Sequence, residues 1–240
     1  MGEHRFYRET VSRKEYTVYE VKCEETDILV STDKNFYSNA LNYVIKYRNY
    51  IENYIISYPD FLTSFLPLPD DPYAPPIIQD MLQAAQMAGV GPMASVAGAI
   101  AQYVGNDLKK LSRNVIIENG GDNYLDTERD VIISLYAGKS PLSEKIAIKI
   151  IPEQMPCGVC TSSGTLGHSV SFGSADAVCV VSPSAILADA VATAIGNRIK
   201  IKDDIQHSLE DAVAISGVSG VIIVLDDKMG VIGNITFVDP

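Results

Sequence analysis

Five prolines crowd into one short stretch: Pro67, Pro69, Pro72, Pro75 and Pro76. Proline has no amide proton to give to a helix interior or to a central strand. Residues 65–76 are therefore read as loop. Apolar residues are interleaved with the prolines, so the loop is expected to pack across a domain surface and not to link two domains. Whatever sheet and helices the chain builds must lie on either side of it.

Before the loop, Glu15–Val21 and Asp27–Val30 alternate as an opening pair of strands. From Phe36 to Ile56, the spacing of Leu41, Val44, Ile45, Tyr47, Ile51 and Ile55 predicts a helix. After the loop, Ile77–Met87 is expected to be a short helix that stops at Gly89 and Gly91. A second helix should run from about Met93 to Leu111. Its small residues Ala94, Ala97, Gly98 and Ala101 would let another backbone come close. Asn114–Glu118 is a short buried strand ending in the turn Asn119-Gly120-Gly121-Asp122, and further strands are expected at 131–137 and 145–151. A buried strand at 177–181 leads to Ser182-Pro183, read as N-cap and first helical residue. That helix should end near Ile195, before Gly196. Two closing strands, 219–225 and 231–238, flank a hairpin turn at Asp226–Gly230. The pattern predicts one α+β domain over residues 1–240, with a mixed sheet and packed helices.

Composition removes several functions. The formal net charge is -11, which argues against a nucleic-acid partner. No apolar run reaches the roughly 18 to 20 residues that span a bilayer, so no membrane is expected. The first residues carry no apolar core of a secretory signal, and a cytoplasmic location is expected.

Several residue groups can carry chemistry. Cys157 and Cys160 form the one C-x-x-C pair among four cysteines, which is too few for a four-cysteine zinc site of two such pairs. The segment 156–173 that follows is rich in Gly, Ser, Thr and Cys. Cys160 opens a loop of free amides close to His168, surroundings that can lower a thiol pKa. Cys157 would then resolve a disulfide or pass on sulfur. The plain alternative is two small residues in a strand. His168 is the one histidine of three suited to acid–base work, and a structural role stays open. Asp189 and Thr193 are four apart on a predicted helix, about 6 Å along its axis, and can share a hard cation. Alternatively Asp189 faces water and Thr193 caps a carbonyl. Asn119, Gly120, Gly121 and Asp122 form a turn whose exposed amides can meet phosphate, or an ordinary tight turn.

Four pieces in order resemble the ApbE-like superfamily: Gly89–Ala101, Glu118–Asp122, Cys160–His168 and Ala188–Thr193. The resemblance is strongest to a small cytoplasmic branch, of the UPF0280 type, found in archaea and anaerobes. It implies an ApbE-like fold. It also implies that Asp189 and Thr193 hold magnesium, that the Gly-Gly-Asp turn meets FAD, and that Thr161, Ser162, Ser163 and Gly164 line the ligand. The chain departs from the flavin transferases at two points. The insert between their Thr-Ser-Gly and their histidine is missing, and Ala97-Gly98 lacks their lysine. Two functions follow. The branch has been linked to sulfide assimilation toward homocysteine, which would make Cys160 the sulfur acceptor, with Cys157 and His168 assisting and sulfur-metabolism proteins as partners. The alternative is magnesium-dependent flavin binding or FMN transfer to a protein. A non-catalytic small-molecule-binding module is a third option, and self-association is compatible with each.

Overall fold

The computed structural model describes residues 15–163 and 173–240. The chain opens with the hairpin β1 (Thr17–Cys23) and β2 (Thr26–Thr32), followed by the long helix α1 (Tyr37–Ser57) and the short α2 (Asp60–Thr63). The proline-rich stretch then crosses to α3 (Pro76–Ala88). Pro76 takes the first helical position, where its missing amide costs nothing. Gly89 closes α3 at φ 74°, a left-handed conformation that favours glycine. A 3-10 turn (Pro92–Ser95) feeds α4 (Val96–Lys109), set at 103° to α3. Among the described residues no single helix is long and apolar enough to cross a membrane.

Next come β3 (Val115–Asn119), β4 (Asp122–Asp126), β5 (Val131–Ser134), β6 (Ala147–Ile150), β7 (Cys157–Ser162) and β8 (Ala177–Ser182). Helices α5 (Ala185–Arg198) and α6 (Asp204–Ala214) follow, then β9 (Gly220–Leu225), β10 (Lys228–Gly233) and β11 (Phe237–Val238). Eight strands form one sheet in the order β1-β2-β3-β4-β7-β8-β9-β10, and β11-β6-β5 form a second. Every pairing in both is antiparallel, where a mixed sheet was expected. The α+β class stands.

The central strands of the large sheet are buried on both faces. One face carries Val30, Ile117, Tyr124, Cys160, Val178 and Val180 against the helices. The other carries Ile116, Leu125, Cys157, Val159, Cys179 and Val181 against the small sheet. This explains why β8 and β9 are apolar along their whole length and do not alternate. On the helix side, several phenols reach carboxylates. Tyr47 donates to Asp107 and Tyr103 to Asp80, each at 2.6 Å, and Tyr54 donates to Asp71 at 3.1 Å.

Some local expectations needed correction. The turn at 119–122 leads straight into a strand, β4, whose polar letters Asp122-Asn123 hid it. Ser184, and not Ser182, caps α5, accepting from the Leu187 amide at 3.3 Å. The hairpin after β9 turns in two residues, Asp226 and Asp227, so β10 starts earlier and ends at Gly233, and Phe237–Val238 joins the other sheet.

Helices α4 and α5 lie tight on the sheet because glycines face their contacts. A Cβ at Gly98 would lie 2.3 Å from the Ala185 carbonyl oxygen and 2.9 Å from Asp189 Cβ. A Cβ at Gly158 would lie 2.2 Å from Ala185 Cα. The first turn of α5 is thus wedged between α4 and β7 with no room for a methyl group. Gly158→Ala should cost about 1–3 kcal/mol by overpacking, lowering the melting temperature by roughly 3–10 °C. A calorimetric scan that finds the variant as stable as the parent would refute this packing.

Candidate functional site

The wedge brings Asp189 to the start of α4. The 3-10 turn leaves α4 without a side-chain cap of its own. Asp189 fills that place from the neighbouring helix: its Oδ2 accepts from the Gly98 amide at 2.9 Å. A carboxylate at a helix N-terminus is stabilised by unpaired amides and by the helix dipole. Thr193, one turn further along α5, donates to the Ala94 carbonyl at 3.5 Å. Both residues therefore face the entry to α4. Asp189 is 8% exposed, so the water-facing alternative does not hold.

The β3–β4 turn arrives from the other side. Gly120 and Gly121 have φ of 69° and 107°, which suits a two-residue hairpin of glycines. Asn119 donates its side-chain amide to the Ala97 carbonyl at 3.0 Å, tying the turn to α4. Asp122 follows and points to the helix side of the sheet. It is 8% exposed and lies beside Asp189 and Cys160. The β4–β7 ladder ends at Asn123–Val159, and beyond it the Asp122 carboxylate takes up the Thr161 amide. Asp122, the neighbours Cys160 and Thr161, and Asp189 thus meet at one point from three separate parts of the chain. Spacing alone gave no signal that the turn's aspartate would join the helix's aspartate.

The electrostatics follow from burial. Desolvation pushes the Asp122 carboxyl well above the ordinary range, and the charge of Asp189 and then of Glu118 pushes it further. Asp189 is raised to about 7 by burial, partly offset by the Gly98 and Ala97 amides. Two adjacent buried carboxylates call for a proton or a cation between them. Among the described residues no group of three or more His, Cys, Asp and Glu side chains is arranged to hold a metal ion. A cation here would draw on carboxylate, hydroxyl and carbonyl oxygens, which suits magnesium.

The cysteines do not behave as expected of a reactive pair. Residues three apart on a strand point to opposite faces. Cys160 packs under the helices and Cys157 under the small sheet, 0% and 1% exposed. They cannot form a disulfide with each other across the sheet. Burial pushes the Cys157 thiol up to about 12. Burial, Asp122 and Asp189 also raise Cys160, whose thiol points to the Ala185 carbonyl at 3.4 Å. The lowered thiol pKa expected for Cys160 is reversed by these surroundings.

The turn also differs from the expectation of free amides. The Gly121 amide is given to Glu118 at 3.0 Å. Gly120 borders open space, since a Cβ there would meet nothing within 4 Å. Thr161, Ser162 and Ser163 are half-buried at the end of β7, and a Cβ at Gly196 of α5 would lie 3.4 Å from Ser162 Oγ. Gly164 and His168 lie outside the described residues.

A raised carboxyl pKa has a definite sign for stability. The unfolded aspartate ionises near 3.8 and folded Asp189 near 7. Between these values only the folded chain holds the proton, so stability is lost as pH rises through the window. For cation-free protein, the melting temperature of wild type relative to Asp189→Asn should fall as pH goes from 4 to 7.5. A difference that stays constant with pH would contradict the buried pair.

Comparison with known proteins agrees with this architecture. The family profile described as "AbpE bacteria" matches residues 8–227. A UPF0280 protein of Methanococcus aeolicus is 46% identical over 90% of this chain and 89% of its own. A UPF0280 protein of Methanocaldococcus jannaschii is 44% identical over 88% of each chain. Among solved structures, the flavin transferase ApbE from Vibrio cholerae superposes with a TM-score of 0.61 at 10% identity, covering 92% of this chain and 97% of that one. The Pseudomonas stutzeri flavinyl transferase ApbE, apo form, gives a TM-score of 0.53 at 12% identity, covering 92% and 94%. Matched along nearly its whole length by that profile and by the archaeal proteins, the chain belongs to the AbpE bacteria family, in its UPF0280 branch, and has the ApbE fold.

Proposed function

We propose that the chain binds a flavin dinucleotide together with a magnesium-class cation where α4, α5 and the β3–β4 turn meet. The observation that carries this reading is the buried pair Asp122 and Asp189 beside the first turn of α4. Magnesium uses one or two carboxylates and leaves its other positions to water and substrate phosphates. Asp189 accepts from the Gly98 amide through Oδ2 and is also met by the Ala97 amide, and a cation would use the lone pairs that these amides leave. Thr193 Oγ1 and the Ala94 carbonyl offer further hard donors. Bound magnesium would neutralise the pair and the pyrophosphate together. The chain's own residues do the rest. The α4 amides orient Asp189, the glycine turn leaves room for the ligand, and Ser162 and Ser163 supply hydroxyls beside it.

The structural neighbours are flavin transferases, and FMN transfer to a protein is the natural extension of this reading, with His168 as its acid–base candidate. A protein substrate and a cytoplasmic location belong to the same proposal. Sulfur transfer finds less support, because Cys157 and Cys160 are both buried and their thiols are raised.

Titration of FAD into purified protein, followed by flavin fluorescence with and without magnesium, tests the proposal. Wild type should bind only with the cation, and Asp189→Ala should weaken binding at least about tenfold, or about 1.4 kcal/mol. Cys160→Ser should still bind. Binding that ignores both magnesium and Asp189 would sink the flavin–cation reading, and loss of function in Cys160→Ser alone would revive the sulfur one.

A further inference from the structure

Asn123 sits next to Asp122 on β4, so its side chain points to the opposite face of the sheet, the face that carries Leu125 and Val159. Its amide nitrogen donates to two carbonyls, Gly121 at 3.2 Å and Val159 at 3.3 Å. The first belongs to the glycine turn and the second to β7. Asn123 therefore stitches the turn to the strand at the last rung of the β4–β7 ladder. Immediately beyond that rung, Asp122 takes the Thr161 amide and lies beside Asp189.

The same side chain carries a defect. Its Oδ1 is buried without a hydrogen-bond partner among the described residues, in a residue only 4% exposed. Exchanging the amide's oxygen and nitrogen would set the oxygen against two carbonyls, so the orientation is fixed by its donors. A buried acceptor left unpaired is a net cost to folding. Leucine, with the same branched heavy-atom outline though a larger volume, would remove that acceptor on a face already lined by Leu125 and Val159.

We propose that Asn123 is a positioning residue, holding the Gly120–Gly121 turn against β7 so that Asp122 stays in place beside Asp189 and Thr161. It acts through backbone from behind the sheet and touches no ligand. The idea rests on the flavin–cation reading only for its ligand readout.

The test uses the full chain with Asn123→Leu, and Asn123→Ser as a second variant in case leucine prevents folding. Amide hydrogen exchange at Gly121 and at Thr161 is measured alongside magnesium-dependent FAD affinity. Both amides should exchange at least about tenfold faster in the variants. FAD affinity should fall about tenfold while the melting temperature of the leucine variant stays near that of wild type. Unchanged exchange at Thr161 overturns the proposal, because the turn and β7 would then not be coupled through Asn123. So does an affinity loss that merely tracks melting temperature in both variants, which marks a structural role. If wild type itself binds no FAD, the flavin reading fails and the exchange pattern alone decides the role of Asn123.

Discussion

The close contact of α5 with both α4 and β7 is the constraint on which the rest depends. Gly98 and Gly158 give up their side chains so that the backbone at Ala185 can pass between them. At that separation Asp189 has nowhere to go but the amides at the start of α4. The carboxylate is forced out of water, and the helix N-terminus compensates for part of the loss. Asp122 arrives on the same face of the sheet because the two-glycine turn sets its register. A packing requirement has thus been turned into an electrostatic one.

Much of the framework was legible in the letters. The α3 stop at Gly89, the α1 stripe and the Asp189–Thr193 face follow from local rules that hold whatever the neighbours are. The small residues of α4 correctly anticipated a close backbone approach, realised at Gly98. What stayed hidden was long-range or two-sided. Strand β4 is written Asp-Asn-Tyr-Leu-Asp, and its polar start suggested the end of a turn. Its Asp122 and Asn123 serve opposite faces of one sheet, a division invisible until both faces are known to be covered. The antiparallel order also depends on which strands meet, which no local pattern records.

The C-x-x-C pair shows how context overrules a motif. On a helix or a tight turn two such sulfurs can meet. On β7 the pleat separates them, one under helices and the other under the small sheet. The acidic neighbours of Cys160 then act against a thiolate, the reverse of what a loop rich in amides suggested. The carboxylates that raise that thiol are the groups with the strongest case for binding a ligand.

The tyrosines that fasten α1 and α4 have an optical consequence. The chain contains thirteen tyrosines and no tryptophan, so its intrinsic emission is that of phenols alone. Tyr47, Tyr54 and Tyr103 each donate to a carboxylate, an arrangement that tends to quench phenol emission. Those three phenols add little light, and with no indole the chain is dark at the longer wavelengths where tryptophan emits. A chromophore that enters it, or a single tryptophan placed by design, would be seen with almost no competing signal.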